Sequence, residues 1–173
     1  MIFVTAGTEQ YPFDRLMRWL DLLQQHHLLQ DEIVVQYGNS TYLPEGSRVY
    51  SFLKEKDFQA LIQDASLVIA HCGEGTVLLL DSLKKPYMLV PRTHALGEHV
   101  DNHQIEMALA LSEMHVPVAW SLGDIVRFVA APQYFPISDI SEQNAIAICQ
   151  NLNQRFASKT AKKSASLLDG IAT

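Results

Sequence analysis

Cysteine is nearly absent from this chain: Cys72 and Cys149 are the two in 173 residues, far apart and in no CxxC pattern. That excludes a disulfide framework and points to a reducing compartment. Basic clusters are missing as well. No run of lysine or arginine exceeds Lys162-Lys163, and 13 basic against 19 acidic residues leave a net charge of −6, so no nucleic-acid partner is expected. No apolar run approaches the roughly 20 residues of a membrane span. Met1 leads straight into Ile2-Phe3-Val4 with no basic region and long apolar stretch of a signal peptide. The expectation is a soluble, cytoplasmic protein that meets a membrane only through a partner. Repeats and internal linkers are not found either.

What is present suits one globular domain. Hydrophobic residues make up 48 % of the chain, enough for a sizeable core. Short apolar runs at 2–5, 32–37, 48–53, 67–70, 87–90 and 116–120 read as strands. Between them lie helical patterns. Phe13, Leu16, Met17, Leu20 and Leu23 repeat at three and four residues, with Pro12 in the first turn. Phe58, Leu61 and Ile62 mark a helix over 57–64, and Val77 to Leu83 a third. Ile105, Ala108, Leu109 and Leu111 give 101–114 an apolar face. Ser121 caps a helix over 122–129, and a last helix is expected over 141–156. Strands alternating with helices predict an α/β fold, a single Rossmann-like domain over 1–157 with a mostly parallel sheet. Residues 158–173 read as a flexible tail. Ligands in such a fold belong at the carboxyl ends of the strands, and three loops rich in functional side chains, 5–10, 71–76 and 91–104, fall at such ends.

In the first loop, Gly7 lets backbone approach a phosphate closely, the following helix start offers free N–H groups, and Thr8 adds a hydroxyl. An ordinary strand-to-helix turn would look the same. Gly73-Glu74-Gly75-Thr76 repeats the arrangement on the central strand, again suited to a diphosphate. His71, at a strand end, is placed to donate to a phosphate or sugar oxygen, although a packed structural histidine is the alternative. A Cys72–His71 nucleophile is disfavoured, because adjacent residues leaving a strand point apart and a lone cysteine is more often a small buried hydrophobe. The third loop holds Arg92, His94, Glu98, His99, Asp101, Asn102, His103 and Gln104. Metal ligation by its histidines and Asp101 is conceivable, yet no HExxH or cysteine partner supports it. Hydrogen bonds to sugar hydroxyls fit this mixture of donors and acceptors better.

The stretches MIFVTAGTEQYPFDRL, HCGEGT, LKKPYMLVPR and GEHVDNHQIEMA together resemble glycosyltransferase family 28, in its carboxy-terminal domain, over about residues 1–120. The likeness is strongest to the small soluble subunits of two-part enzymes, those of dolichol-linked N-acetylglucosaminyl transfer and of bacterial capsule and exopolysaccharide synthesis. The resemblance implies the donor-binding half of a GT-B fold and inverting transfer from a UDP-sugar, with no metal or other cofactor. It implies that Gly7 and Thr8 approach the diphosphate and that His71, Gly73, Gly75 and Thr76 line the nucleotide-sugar cleft. It implies further that Glu98, His99, Asp101, Asn102 and Gln104 lie near the donor sugar or ribose, with Arg92 in the same site. His71 is the local candidate for a catalytic role. Where relatives carry a ribose-gripping glutamate this chain has Leu79, which leaves Glu74 as a substitute. A GT-B enzyme needs two such domains. The expected partners are therefore a membrane-anchored, acceptor-binding glycosyltransferase subunit and a lipid-linked sugar acceptor, and the general base could lie on that subunit. The competing reading is a non-catalytic subunit that stabilises such a transferase.

Overall fold

The computed structural model describes residues 1–137. Five strands, β1 (Ile2–Thr5), β2 (Ile33–Gln36), β3 (Arg48–Tyr50), β4 (Leu67–His71) and β5 (Tyr87–Val90), form one sheet in the order β3-β2-β1-β4-β5. Every pairing is parallel, with Thr5 level with Gln36 on one side and Ala70 on the other. The helices are α1 (Asp14–Gln25), α2 (Glu55–Asp64), α3 (Glu74–Ser82), α4 (His103–Glu113) and α5 (Leu122–Ala130).

The strands are apolar throughout because both faces of the sheet are covered, as parallel sheets require. Side chains alternate between two cores. Ile2, Val4, Ile33, Val35, Ile69 and Val90 pack with α1 and α5, on Leu16, Met17, Leu20, Ile125 and Phe128. Phe3, Val34, Val68, Ala70 and Leu89 pack with α2, α3 and α4, on Ile62, Leu80, Ala108 and Leu111. α5 starts in a capping box, with the Asp124 carboxylate accepting from the Ser121 amide at 2.7 Å.

Parallel β2 and β3 are joined by residues 37–47 without a helix. That loop is instead fastened to α1 by two carboxylates. Asp14 accepts from the Thr41 amide and hydroxyl at 2.7 and 2.6 Å and from the Tyr42 amide at 3.0 Å. Asp21, about two turns further along the same face, accepts from the Tyr42 hydroxyl and from the Glu45 amide at 3.2 Å.

Several expectations need correcting. Pro12 lies before α1, which Phe13 precedes as its cap residue. α3 begins at Glu74, because Gly73 is already extended and an acidic residue favours the first turn. β3 ends at Tyr50, and Phe52 is exposed. Leu109 is also exposed, so the buried face of α4 runs through Gln104, Ala108 and Leu111. Residues 116–120 make one bridge, Leu89 to Val118, because Pro117 has no N–H to extend a ladder. The helix expected over 141–156 and the tail over 158–173 lie outside the described residues.

Gly38, in the turn after β2, has φ +60°, and a Cβ there would stand 2.4 Å from the Gly7 carbonyl oxygen. Gly38→Ala is expected to lower stability by more than the about 1–2 kcal/mol of a left-handed residue alone, because backbone must move. Gly46→Ala, at φ +72° with 3.7 Å to its nearest neighbour, should show only the backbone component. Urea unfolding of the two variants makes the comparison.

Candidate functional site

The strand order reverses between β1 and β4, the point where open α/β sheets leave a crevice at their carboxyl edge. A cleft of about 300 Å³ opens there, and Gly7, Thr8, His71 and Thr76 from the sequence expectation all line it. Residues not anticipated complete it: Thr5, Gln36, Leu53, Glu55 and Phe58. Thr5 donates its hydroxyl to Gln36 Oε1 at 2.5 Å, and Gln36 Nε2 donates to the Gly7 and Ser51 carbonyls, both at 3.1 Å. This buried amide ties the β1 turn to the segment after β3. Its one sequence signal was a glutamine closing an otherwise apolar strand.

His71 ends β4 and is 8 % exposed. Its ring is held between two glycines. A Cβ on Gly7 would fall 2.6 Å from Nε2, and one on Gly73 2.4 Å from the same atom. Both turns therefore lack side chains first of all to admit the imidazole. Nδ1 is buried without a hydrogen-bond partner. Burial, then the charge of nearby Arg92, push the imidazole pKa down to about 4, against an opposing interaction with the Thr5 backbone. His71 is neutral at physiological pH. Cys72 beside it is fully buried in the second core, and burial pushes its thiol up to about 12, so it is no nucleophile.

Glu74 and Gly75 stand exposed on the first turn of α3, where a Cβ on Gly75 would meet nothing within 4 Å. Leu79, further along α3, packs against the second core.

Three residues expected to face a ligand turn inward. Arg92 is fully buried. Its guanidinium donates to the Ala6 carbonyl twice, at 2.6 and 3.2 Å, to the Tyr11 carbonyl at 2.8 Å and to the Glu98 carbonyl at 2.9 Å. It also lies 4.6 Å from the Phe13 ring centroid. Burial lowers its pKa to about 10, so it stays a cation. Glu98, 3 % exposed, forms a two-point ion pair with Arg15 at 2.9 Å and accepts from the Thr93 amide. Gln104, 4 % exposed, accepts from the Arg92 amide at 3.2 Å. The polar side-chain atoms of Arg92 and Glu98 are thus engaged by partners within the protein. Gln104 carries its carbonyl into the same framework.

The outer part of the loop is different. Asn102 and Asp101 are exposed and His99 half-buried. Asn102 Oδ1 accepts from the His94 amide at 3.3 Å. His99 Nδ1 lies 2.9 Å from Asp101 Oδ1, which also accepts from the His103 amide at 3.0 Å. The His103 amide is the largest influence holding the Asp101 carboxyl below its ordinary pKa. The His99 ring stands 6.5 Å from that of Tyr11. Among the described residues no group of three His, Cys, Asp or Glu side chains is arranged to hold a metal ion. None of the described helices is long and apolar enough to cross a membrane.

The model of the glycosyltransferase family 28 C-terminal domain matches residues 1–126. The chain is 34 % identical over 119 residues to the human UDP-N-acetylglucosamine transferase subunit ALG13, covering 64 % of this chain and 10 % of that protein. The Candida albicans protein of the same name is 22 % identical over 81 residues, covering 47 % of this chain and 26 % of its own length. The match thus spans a small part of either relative. Among solved structures, the glycosyltransferase SnogD from Streptomyces nogalater aligns with a TM-score of 0.46 and 21 % identity, over 68 % of this chain and 30 % of that one.

Two outcomes are expected from this geometry. Between about pH 4 and 6.5 the unfolded chain takes up a proton that folded His71 refuses, so stability falls as the pH drops through that window. The loss is about 3 kcal/mol. Urea unfolding across that range should show the slope in the wild type and a smaller one in His71→Gln. Arg92→Met strands three buried carbonyls, each costing about 1–3 kcal/mol. It should lower the melting temperature and expose the amides of 6–11 and 92–98 to hydrogen exchange.

Proposed function

The chain belongs to glycosyltransferase family 28 through its C-terminal domain, and from that premise we propose that it is the donor-binding catalytic subunit of a two-component, inverting transferase. The cleft at the reversal of strand order carries this reading. A UDP-sugar would set its diphosphate against the Gly7-Thr8 turn and the first-turn amides of α3. Those amides have no partner within the helix and sit at its positive end. His71, neutral and lining the cleft, can offer a hydrogen bond without adding charge. The Arg92 cation close by favours an anion through its field although its donors are occupied. These fixed dipoles supply the counter-charge that a metal ion gives other transferases, so the reading invokes none. UDP-N-acetylglucosamine is the first donor to test, since the relatives are named for it.

The acceptor would be a sugar linked to a polyprenyl diphosphate, presented by a membrane-anchored glycosyltransferase subunit that also brings this chain to the cytoplasmic face. The acceptor hydroxyl attacks the anomeric carbon opposite the leaving UDP, which inverts the configuration. Asp101 and Asn102, exposed at the rim, remain as partners for sugar hydroxyls.

Calorimetry with UDP tests the assignment. The wild type should bind. Thr76→Trp, which fills the cleft from α3, should abolish binding while leaving the thermal transition in place. Unchanged binding by that variant would move the donor elsewhere. No binding by the wild type, alone or assembled with its partner, would favour a non-catalytic stabilising subunit.

A further inference from the structure

The turn after β1 is held by its carbonyls. Those of Ala6, Gly7 and Glu9 each accept from a side chain outside the turn: the Arg92 guanidinium, Gln36 Nε2 at 3.1 Å and Asn39 Nδ2 at 2.7 Å. The Ala6 and Gly7 amides are also used, on the Gln36 carbonyl at 2.8 Å and the Thr5 hydroxyl at 3.2 Å. Among the described residues the Thr8 amide has no hydrogen-bond partner. We propose that Gln36 is a positioning residue: by gripping the Gly7 carbonyl it turns the Thr8 N–H toward the phosphates of the bound nucleotide. The inference rests on the donor-site reading above.

The direction follows from the sheet order. β1 lies between β2 and β4. The Gly7 carbonyl faces the β2 side, because its donor is on Gln36. A Cβ on Gly38, in the turn after β2, would stand 2.4 Å from the same oxygen. Among the described residues no peptide bond is cis. In a trans peptide the C=O and the N–H point in opposite directions, so the Thr8 N–H points away from β2. That is the β4 side, where the strand order reverses and Thr76 of α3 lines the cleft. Gly7 reaches this arrangement at φ +82°, which a residue with a side chain rarely adopts. Backbone N–H groups aimed in this way are what phosphate-binding turns offer an anion.

Gln36 suits the task because its own amide is fixed. The residue is buried, and Oε1 accepts from the Thr5 hydroxyl at 2.5 Å, which directs Nε2 at the carbonyls. Both N–H groups are committed, one to Gly7 and one to Ser51. The Ser51 carbonyl has a second donor, the Gly38 amide at 3.0 Å. The Gly7 carbonyl has none among the described residues. Removing the Gln36 amide therefore releases one peptide, Gly7–Thr8, and leaves the segment after β3 fastened. An unsatisfied buried carbonyl is costly, so the released peptide turns toward water and takes the Thr8 N–H off the phosphates.

The test uses the full chain and two ligands, UDP and uridine, which differ by the diphosphate. In the wild type, UDP should move the Thr8 amide proton downfield in the NMR spectrum, and uridine should leave it in place. Gln36→Met should lower UDP affinity by about 10–100-fold, the worth of one hydrogen bond to a charged group, with uridine affinity unchanged. Asn39→Ala, at an exposed position, should weaken UDP by a smaller factor and again spare uridine. UDP binding to the wild type without movement of the Thr8 amide overturns the assignment, whether or not Gln36→Met folds. So does wild-type UDP affinity in a Gln36→Met that keeps its thermal transition. An equal loss for UDP and uridine overturns it too, and would make Gln36 a contact of the nucleoside. If the wild type binds no UDP, alone or with its partner subunit, the donor-site reading falls and the positioning role with it.

Discussion

The candidate site depends on one buried cation. Arg92 leaves β5 at the carboxyl edge of the sheet and reaches carbonyls on two separate loops, Ala6 and Tyr11 on one and Glu98 on the other. A guanidinium wholly removed from water is tolerated only if its donors are satisfied. Here carbonyl oxygens do most of that, with the face of Phe13 and the charge of Glu98 adding to it. The constraint runs both ways. The carbonyls stabilise the cation, and the cation holds the loops after β1 and β5 at a fixed separation. A second ion pair, Arg15 with Glu98, fastens the same loop to α1.

Within that frame, His71 and its two glycines form a second fixed unit. The imidazole fills space that Cβ atoms on Gly7 and Gly73 would otherwise occupy, so the turns after β1 and β4 are coupled through a side chain. The arrangement holds only while the ring is uncharged, because a second cation beside Arg92 in a dry site would be strongly disfavoured.

The strands and most helices were legible because covering both sheet faces makes each strand a continuous apolar run. The cleft was legible as a place: three strand-end loops at the carboxyl edge. The roles of individual polar residues were not. Arg92, Glu98 and Gln104 look in sequence like a sugar-binding set, and the same donors and acceptors serve equally to satisfy buried carbonyls and amides. Only burial separates the two uses. Gln36 and Phe58 were missed because they come from a strand end and a helix face whose approach to the cleft is a matter of sheet order. The strand expected at 116–120 is reduced to one bridge because the next rungs on either side would need N–H groups on Pro117 and Pro91, and proline has none.

His71 and His99 sit in different surroundings. His71 lies at a strand end, where the sheet fixes its backbone and burial removes its basicity. His99 lies on a loop outside the sheet, half-buried, with Nδ1 2.9 Å from the Asp101 carboxylate. Arg92 and Glu98 anchor the inner half of that loop, through the Glu98 carbonyl, the Thr93 amide and Arg15.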